Sequence, residues 1–168
     1  ADFIKALCLG ADGIALVTWD IPGKSMNVLD ETSGTELAAI LEQTTSDAAV
    51  KGVVITSGKD SFSGGADLTM LEGMNRAYAE MLKSKGEEAA NKYVFEEVSK
   101  LSQNLRKIET CGKPWVAAIN GIAFGGAFEL ALACHYRVVS DSPKTKLGLP
   151  EVKVGLFPGG GGTQRLPR

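Results

Sequence analysis

The spacing of apolar positions changes several times along the chain, and each change predicts a new element. "FIKALCLGADGIALVTWD" (3–20) reads as two short strands around the turn Gly10–Gly13, and "IPGKSMN" (21–27) as a loop. Leu37, Ile40, Leu41 and Thr44 recur on one face, which predicts a helix over 31–44 capped by Asp30. "GVVITSG" (52–58) is a continuous apolar run between glycines, the pattern of a parallel strand covered on both faces. A glycine-bearing loop "KDSFSGGADL" follows. Helical spacing then runs from Leu68 to Ile108 with a break near Lys85–Gly86. Its later part places Tyr93, Val94, Val98, Leu101, Leu105 and Ile108 on one stripe. "PWVAAIN" (114–120) is a second buried strand, 121–126 a loop, 126–135 an apolar helix and "YRVVSD" (136–141) a third strand. The order strand, glycine loop, helix thus occurs at 52–68 and again at 115–130. Alternating strands and helices predict an α/β fold with mostly parallel strands. The last segment, "LGLPEVKVGLFPGGGGTQRLPR" (147–168), predicts loops and a new helix capped by Thr163. That helix has barely begun its apolar face at Arg168, which predicts a fragment of a longer polypeptide.

Composition narrows the function classes. A chain of 168 residues can bury one sizeable core as a single domain. Its formal net charge is −2 and its Lys and Arg are dispersed, which argues against a nucleic-acid partner. No apolar run approaches the about 18 residues of a transmembrane segment. The opening "ADFIKALCLG" is too short and mixed for a signal peptide. Cys8, Cys111 and Cys134 are odd in number and lack metal-ligand spacing. They read as reduced core thiols of a cytosolic or organelle-matrix protein. One histidine, His135, cannot build a His-rich metal centre, and it reads as a structural residue at a helix end.

The chemistry concentrates in "GIAFGGAFELALACHYRVVSD" (121–141). A helix N-terminus carries unpaired N–H groups and partial positive charge. Gly125 and Gly126 would let a ligand reach that backbone, for a phosphate or a developing oxyanion; tight helix–strand packing is the alternative for a lone Gly-Gly. Neither this loop nor "PGGGGTQR" has the spacing of a P-loop or a dinucleotide fingerprint. The second reads as a flexible turn into a helix. Glu129 lies one turn after Gly126 among apolar neighbours. It is either a partly desolvated acid with a raised pKa or a first-turn residue that complements the dipole. Glu151, after Pro150, gains interest only if the fold sets it opposite Glu129, where the two could act as base and acid.

Three segments in order, "SFSGGADL" (61–68), "AAINGIAFGGAFELALACHYRVVSD" (117–141) and "LGLPEVKVGLFPGGGGTQRLPR" (147–168), resemble the signatures of the enoyl-CoA hydratase (crotonase) superfamily. The likeness runs from near Ile14 to the end. The loop "PGKSMNVLD" (22–30) is most similar to the hydratase half of multifunctional fatty-acid oxidation enzymes. There the hydratase is joined to an NAD-dependent 3-hydroxyacyl-CoA dehydrogenase and works beside a thiolase-type partner.

The resemblance implies a crotonase-like spiral of ββα units and an acyl-CoA thioester held by two backbone N–H groups, at Ala66 and Gly126. It implies that Glu129 and Glu151 add water across a 2-enoyl-CoA double bond in fatty-acid β-oxidation, with 3-enoyl/2-enoyl isomerisation as a further activity. Coenzyme A enters only as part of the substrate, no metal or other cofactor is implied, and NAD belongs to a dehydrogenase half not present here. CoA would run along 22–28 and the segment around 63–68, and the substrate and CoA contacts implied are Lys24, Ser25, Met26, Ser63, Gly65, Asp67, Leu68, Gly125 and Pro150. Lys24 is equally readable as a phosphate contact or an ordinary solvated lysine. The family's C-terminal helical region is absent. Its loss is expected to uncover apolar surface on the sheet and on helix 126–135, to favour self-association and to weaken activity. A bacterial cytoplasmic location is implied ahead of a mitochondrial or peroxisomal one. The rival readings are another crotonase chemistry, isomerase or thioester hydrolase, and a non-catalytic acyl-CoA binding or assembly module.

Overall fold

A computed structural model describes the backbone of residues 4–168 and the side chains from Leu9 onward. The Cys8 thiol therefore lies outside the described residues. A five-stranded sheet has the order β1–β2–β3–β4–β6, formed by Ile4–Leu9, Ile14–Trp19, Gly52–Ser57, Trp115–Ile119 and Tyr136–Val139. β1 and β2 form an antiparallel hairpin, and every later pairing is parallel. β1 and β2 flank the predicted Gly10–Gly13 turn, and β3 and β4 lie inside the two apolar runs.

Helices cover the sheet. In α1 (Glu31–Ser46) Asp30 caps as expected: its Oδ1 accepts from Ser33 N–H at 2.9 Å, and Ser33 Oγ accepts from Asp30 N–H at 2.8 Å. Such a cap contributes about 1 kcal/mol. Leu37, Leu41 and Thr44 turn inward from α1. The long helical stretch divides into α2 (Leu68–Lys85) and α3 (Glu87–Thr110) at Gly86, whose φ is +85°. The expected stripe on α3 is buried only in its second half. Leu105 and Ile108 are fully buried and Leu101 partly so, whereas Val98 is 46% exposed. The first half of α3 packs on α2 instead of the sheet; Tyr78 Oη, for example, donates to Asn91 Oδ1.

α4 (Gly126–Ala133) is the most buried helix, with only Leu132 partly accessible. The expectation that helix 126–135 is uncovered is thus corrected: α3 and the short α5 (Gly162–Arg165) pack against it. The expectation for the sheet holds on its edge strand β6, where Tyr136 and Val138 are exposed, and further exposed apolar side chains are Val152 and Phe157. Thr163 does not cap α5. Gly161 does, with φ +96°, and Thr163 lies exposed within the helix. Cys134 closes α4, and burial pushes its thiol up to about 12, so it stays protonated as a core residue. His135 Nδ1 accepts from Trp115 N–H at 3.1 Å, a structural contact beside that helix end. Among the described residues no helix is long and apolar enough to cross a membrane, and no cluster of metal-binding side chains occurs.

Candidate active site

A second, miniature sheet assembles the site. The segment 121–126, expected to be pure loop, contains β5 (Ala123–Phe124), which pairs in parallel with β7 (Leu147–Gly148). Two isolated bridges extend it, Ser63 to Ala123 and Leu29 to Ala66. Four segments distant in sequence, which follow β2, β3, β4 and β6, are thereby laid side by side over the C-terminal ends of the parallel strands, the usual place for ligands in α/β sheets.

Asn27 pins the first of these segments. It is fully buried, and its Nδ2 donates to the Trp19 carbonyl (2.8 Å) and Ser57 Oγ (2.9 Å) while its Oδ1 accepts from Ile21 N–H (3.0 Å). Its carbonyl in turn accepts from Gly64 N–H and Ser63 Oγ. The 22–28 and 63–68 segments are therefore in contact before any ligand arrives.

At the Leu29–Ala66 bridge, Leu29 N–H donates to Gly65 O and Asp67 N–H donates to Leu29 O, both at 2.8 Å. In a parallel bridge this turns the Ala66 N–H away from Leu29, and it meets no acceptor among the described residues. Gly126 is the first residue of α4. The first helical bond runs from Glu129 N–H to Gly125 O, so the Gly126 N–H is likewise unclaimed. Gly125 holds φ +54° and ψ −133°, a conformation open only to glycine, and this bend turns β5 into α4. Gly65, φ +95°, packs its bare Cα against the Phe124 carbonyl, so the Ala66 and Gly126 donors belong to two touching turns.

Two carboxylates approach the same helix end. Glu129 is 2% exposed, and its Oε2 and Oε1 accept from Gly160 N–H (2.9 Å) and Gly162 N–H (2.7 Å). A carboxylate buried without donors would cost several kcal/mol, and these two N–H groups fill that need. Glu151 opens a 3-10 turn (Glu151–Val154) after Pro150. Its Oε1 lies 3.2 Å from where a Cβ on Gly125 would stand, and its Oε2 is buried with no hydrogen-bond partner among the described residues. Burial, and then the Glu129 charge, hold the Glu151 carboxyl above the usual carboxylate range. The geometry thus places Glu151 and Glu129 about the Gly125–Gly126 corner.

A sequence profile of the enoyl-CoA hydratase/isomerase family matches residues 10–168. The chain belongs to that family. This family member is 51% identical over 159 residues to the fatty acid oxidation complex subunit alpha of Shewanella frigidimarina, covering 94% of the chain and 20% of that relative. It is 48% identical to the corresponding subunit of Idiomarina loihiensis, again covering 20% of it. The chain therefore spans about a fifth of the length of the curated relatives it matches. The crystal structure of an enoyl-CoA hydratase from Bacillus anthracis superposes with a TM-score of 0.81 at 32% identity, over 99% of this chain and 58% of that one. The expected α/β, crotonase-like fold is thereby shown.

Other expected contacts of this hydratase/isomerase-family chain have local structural partners. Lys24 Nζ donates to Asp67 Oδ2 at 3.0 Å and lies 3.9 Å from Asp30 Oδ2, bridging the caps of α2 and α1. Asp67 caps α2 through Thr69 and Met70 N–H, and the Lys24 contact holds its carboxyl below the usual range. Ser25 is exposed, Met26 rests its sulfur on Gly64, and Leu68 is 58% exposed. Ser63 is fully buried, and its Oγ accepts from Gly65 N–H. Sequence reasoning missed Gly160 and Gly162, whose backbone holds Glu129, and Asn27. The four consecutive glycines were the visible signal for the first two, but their donors are main-chain atoms that residue type does not display.

Proposed function

We propose that the chain adds water to 2-enoyl-CoA thioesters. The observation that carries this reading is the meeting of Glu129 and Glu151 at one helix end beside the unclaimed N–H groups of Ala66 and Gly126. Water attacks C3, and its electron pair displaces the double bond toward the thioester oxygen as an enolate. The two N–H groups and the positive end of α4 stabilise that charge; losing one such donor costs about 3 kcal/mol. Glu129, acceptor-only toward the glycine turn, takes the proton of the attacking water. Glu151, which burial biases toward its protonated form, gives a proton to C2. The reaction exchanges only water and protons, and CoA enters with the substrate. CoA would follow the 22–28 and 63–68 segments, with Lys24 leaving its carboxylate partners to meet a phosphate.

A second activity has its own support. The buried Glu151 Oε2, with no hydrogen-bond partner among the described residues, suits a group that carries a proton between carbons, as 3-enoyl to 2-enoyl isomerisation requires. A larger protein with a dehydrogenase half and a thiolase-type partner fits the name of the relatives and remains part of this proposal, as do the assignments of Lys24, Ser25, Met26 and Leu68 to CoA.

Loss of the conjugated enoyl absorbance tests the reading. The chain is expected to hydrate 2-enoyl-CoA, Glu129→Gln to lose nearly all hydration with an unchanged fold, and Glu151→Gln to lose both hydration and isomerisation. Near-parental hydration by folded Glu129→Gln would refute it, and CoA-affinity binding without turnover would favour a binding module.

A further inference from the structure

Glu129 is held by the backbone of Gly159–Gly162, a turn with no side chains to hold it in place. Each of its three internal peptide units is nevertheless tied down. The Gly159 carbonyl accepts from Ser102 Oγ of α3 at 3.1 Å, and the same peptide's N–H, at Gly160, reaches Glu129. The Gly160 carbonyl accepts from Arg165 Nη1 at 2.5 Å. The Gly161 carbonyl accepts from the N–H groups of Gln164 and Arg165, and that peptide's N–H, at Gly162, reaches the other oxygen of Glu129.

Arg165 also grips α3. Its Nε and Nη2 donate to the two oxygens of Glu109 at 2.7 and 3.1 Å. This pairing, opposed by burial and helped by Arg106, holds Glu109 below the usual carboxylate range. The guanidinium side chain is 15% exposed. A planar fork can hold a carboxylate on one edge and a carbonyl on the other, which a lysine ammonium on a flexible stem cannot reproduce.

We propose that Arg165, braced on Glu109, is the positioning residue that fixes Glu129 through the tetraglycine turn. The inference rests on the hydration reading, because Glu129 matters for turnover only if it handles the water. Arg165 itself stands behind the turn and needs no contact with substrate. Removing it frees the Gly160 carbonyl, loosens both N–H donors and lets the Glu129 carboxyl wander, while the CoA-facing segments around Lys24 and Asn27 keep their own bonds. The expected signature is a fall in kcat with little change in KM. A misplacement near 1 Å is enough for a loss of up to about 100-fold.

Two measurements on the chain test this, with Arg165→Met as the variant and Arg106→Met as the control. Arg106 pairs with the same Glu109, is 70% exposed and has no hydrogen bond to the turn among the described residues. Amide hydrogen exchange by NMR should quicken at least about 10-fold at Gly160 and Gly162 in Arg165→Met and stay unchanged in Arg106→Met. Turnover of a four-carbon 2-enoyl-CoA should fall in kcat for the first variant only. If Arg165→Met does not fold, Arg165→Lys replaces it: the charge beside Glu109 is kept and the fork that also holds the Gly160 carbonyl is lost, so faster exchange is still expected at Gly160 and Gly162. Unchanged exchange overturns the clamp. Faster exchange with parental kcat overturns the positioning role. A parent chain that does not hydrate the thioester overturns the hydration reading, and the exchange data still decide whether Arg165 holds the turn that grips Glu129.

Discussion

Gly160→Ala gives a sharp test of how closely the tetraglycine turn is fitted to Glu129. Gly160 does not have a positive φ, so alanine meets no backbone obstacle there. The obstacle is the acid: an added Cβ would stand 2.6 Å from Glu129 Oε2 and 3.0 Å from its Cδ. Because Glu129 is 2% exposed, the carboxyl cannot swing into solvent without moving α4 or the turn. The least disruptive response gives up one charge-assisted N–H bond, about 2 kcal/mol, offset by about 0.5 kcal/mol from the stiffer unfolded chain. The net loss is about 1.5 kcal/mol, a fall of about 4 °C in Tm for a chain of this size.

The background should reverse the sign. In Glu129→Ala the carboxyl is gone, and the next contact is the movable tip of Leu105, at 3.2 Å. Gly160→Ala should there stabilise by about 0.5 kcal/mol, which leaves a coupling of about 2 kcal/mol between the two positions. Urea melts of the four proteins measure it. Equal shifts in both backgrounds would refute the reasoning, because the alanine would then be meeting something other than Glu129.

Two other outcomes follow from particular groups. Glu151 is held above its ordinary value near 4.5, so the stability linked to its neutral form is complete below that value and is lost as pH rises through the folded one. Glu151→Gln stays neutral, so its stability relative to the parent should rise as pH increases above about 4.5 in urea melts; parallel curves would remove burial as the cause. Asn27→Asp sets an acceptor-only carboxylate against the Trp19 carbonyl and Ser57 Oγ, to which the amide now donates. It should cost about 3 kcal/mol at neutral pH and recover partly in acid as the carboxyl protonates, and a pH-independent loss would exclude this repulsion.

Much of the framework was legible because its signals are local. Apolar runs between glycines marked β3 and β4, Asp30 marked the start of α1, and Lys85–Gly86 marked the break between α2 and α3. The errors come from tertiary placement. Helical spacing gave α3 one continuous stripe, but its first half leaves the sheet and packs on α2, so Val98 stays accessible. Thr163 has the chemistry of a cap, yet Gly161 takes that place because the turn needs a positive φ there. At the site, Glu129 and Glu151 were visible as acids, while their juxtaposition depends on β5 pairing with β7. Gly126 shows a subtler limit. Proline at a first helical position is tolerable by propensity, but any Cβ there would meet Leu29 Cδ1 at 2.8 Å, so Gly126→Pro would perturb packing as well as remove the N–H.

The two glutamates differ in a way that sequence spacing alone could not reveal. Both stand near the positive end of α4, where a negative charge is favoured. Glu129 has a backbone donor on each oxygen, and Glu151 has a buried oxygen with none among the described residues. Glu129 also raises the cost of ionising Glu151. A pair of like acids is thereby made unlike: one is supplied with hydrogen bonds as an acceptor, the other is biased to keep its proton. Acid and base roles at neutral pH require that kind of asymmetry between two carboxyl groups. Here the burial of Glu151 biases one acid, and main-chain N–H groups of a glycine turn supply the other with donors; both depend on tertiary placement, which is why no pattern of side chains along the chain announces them.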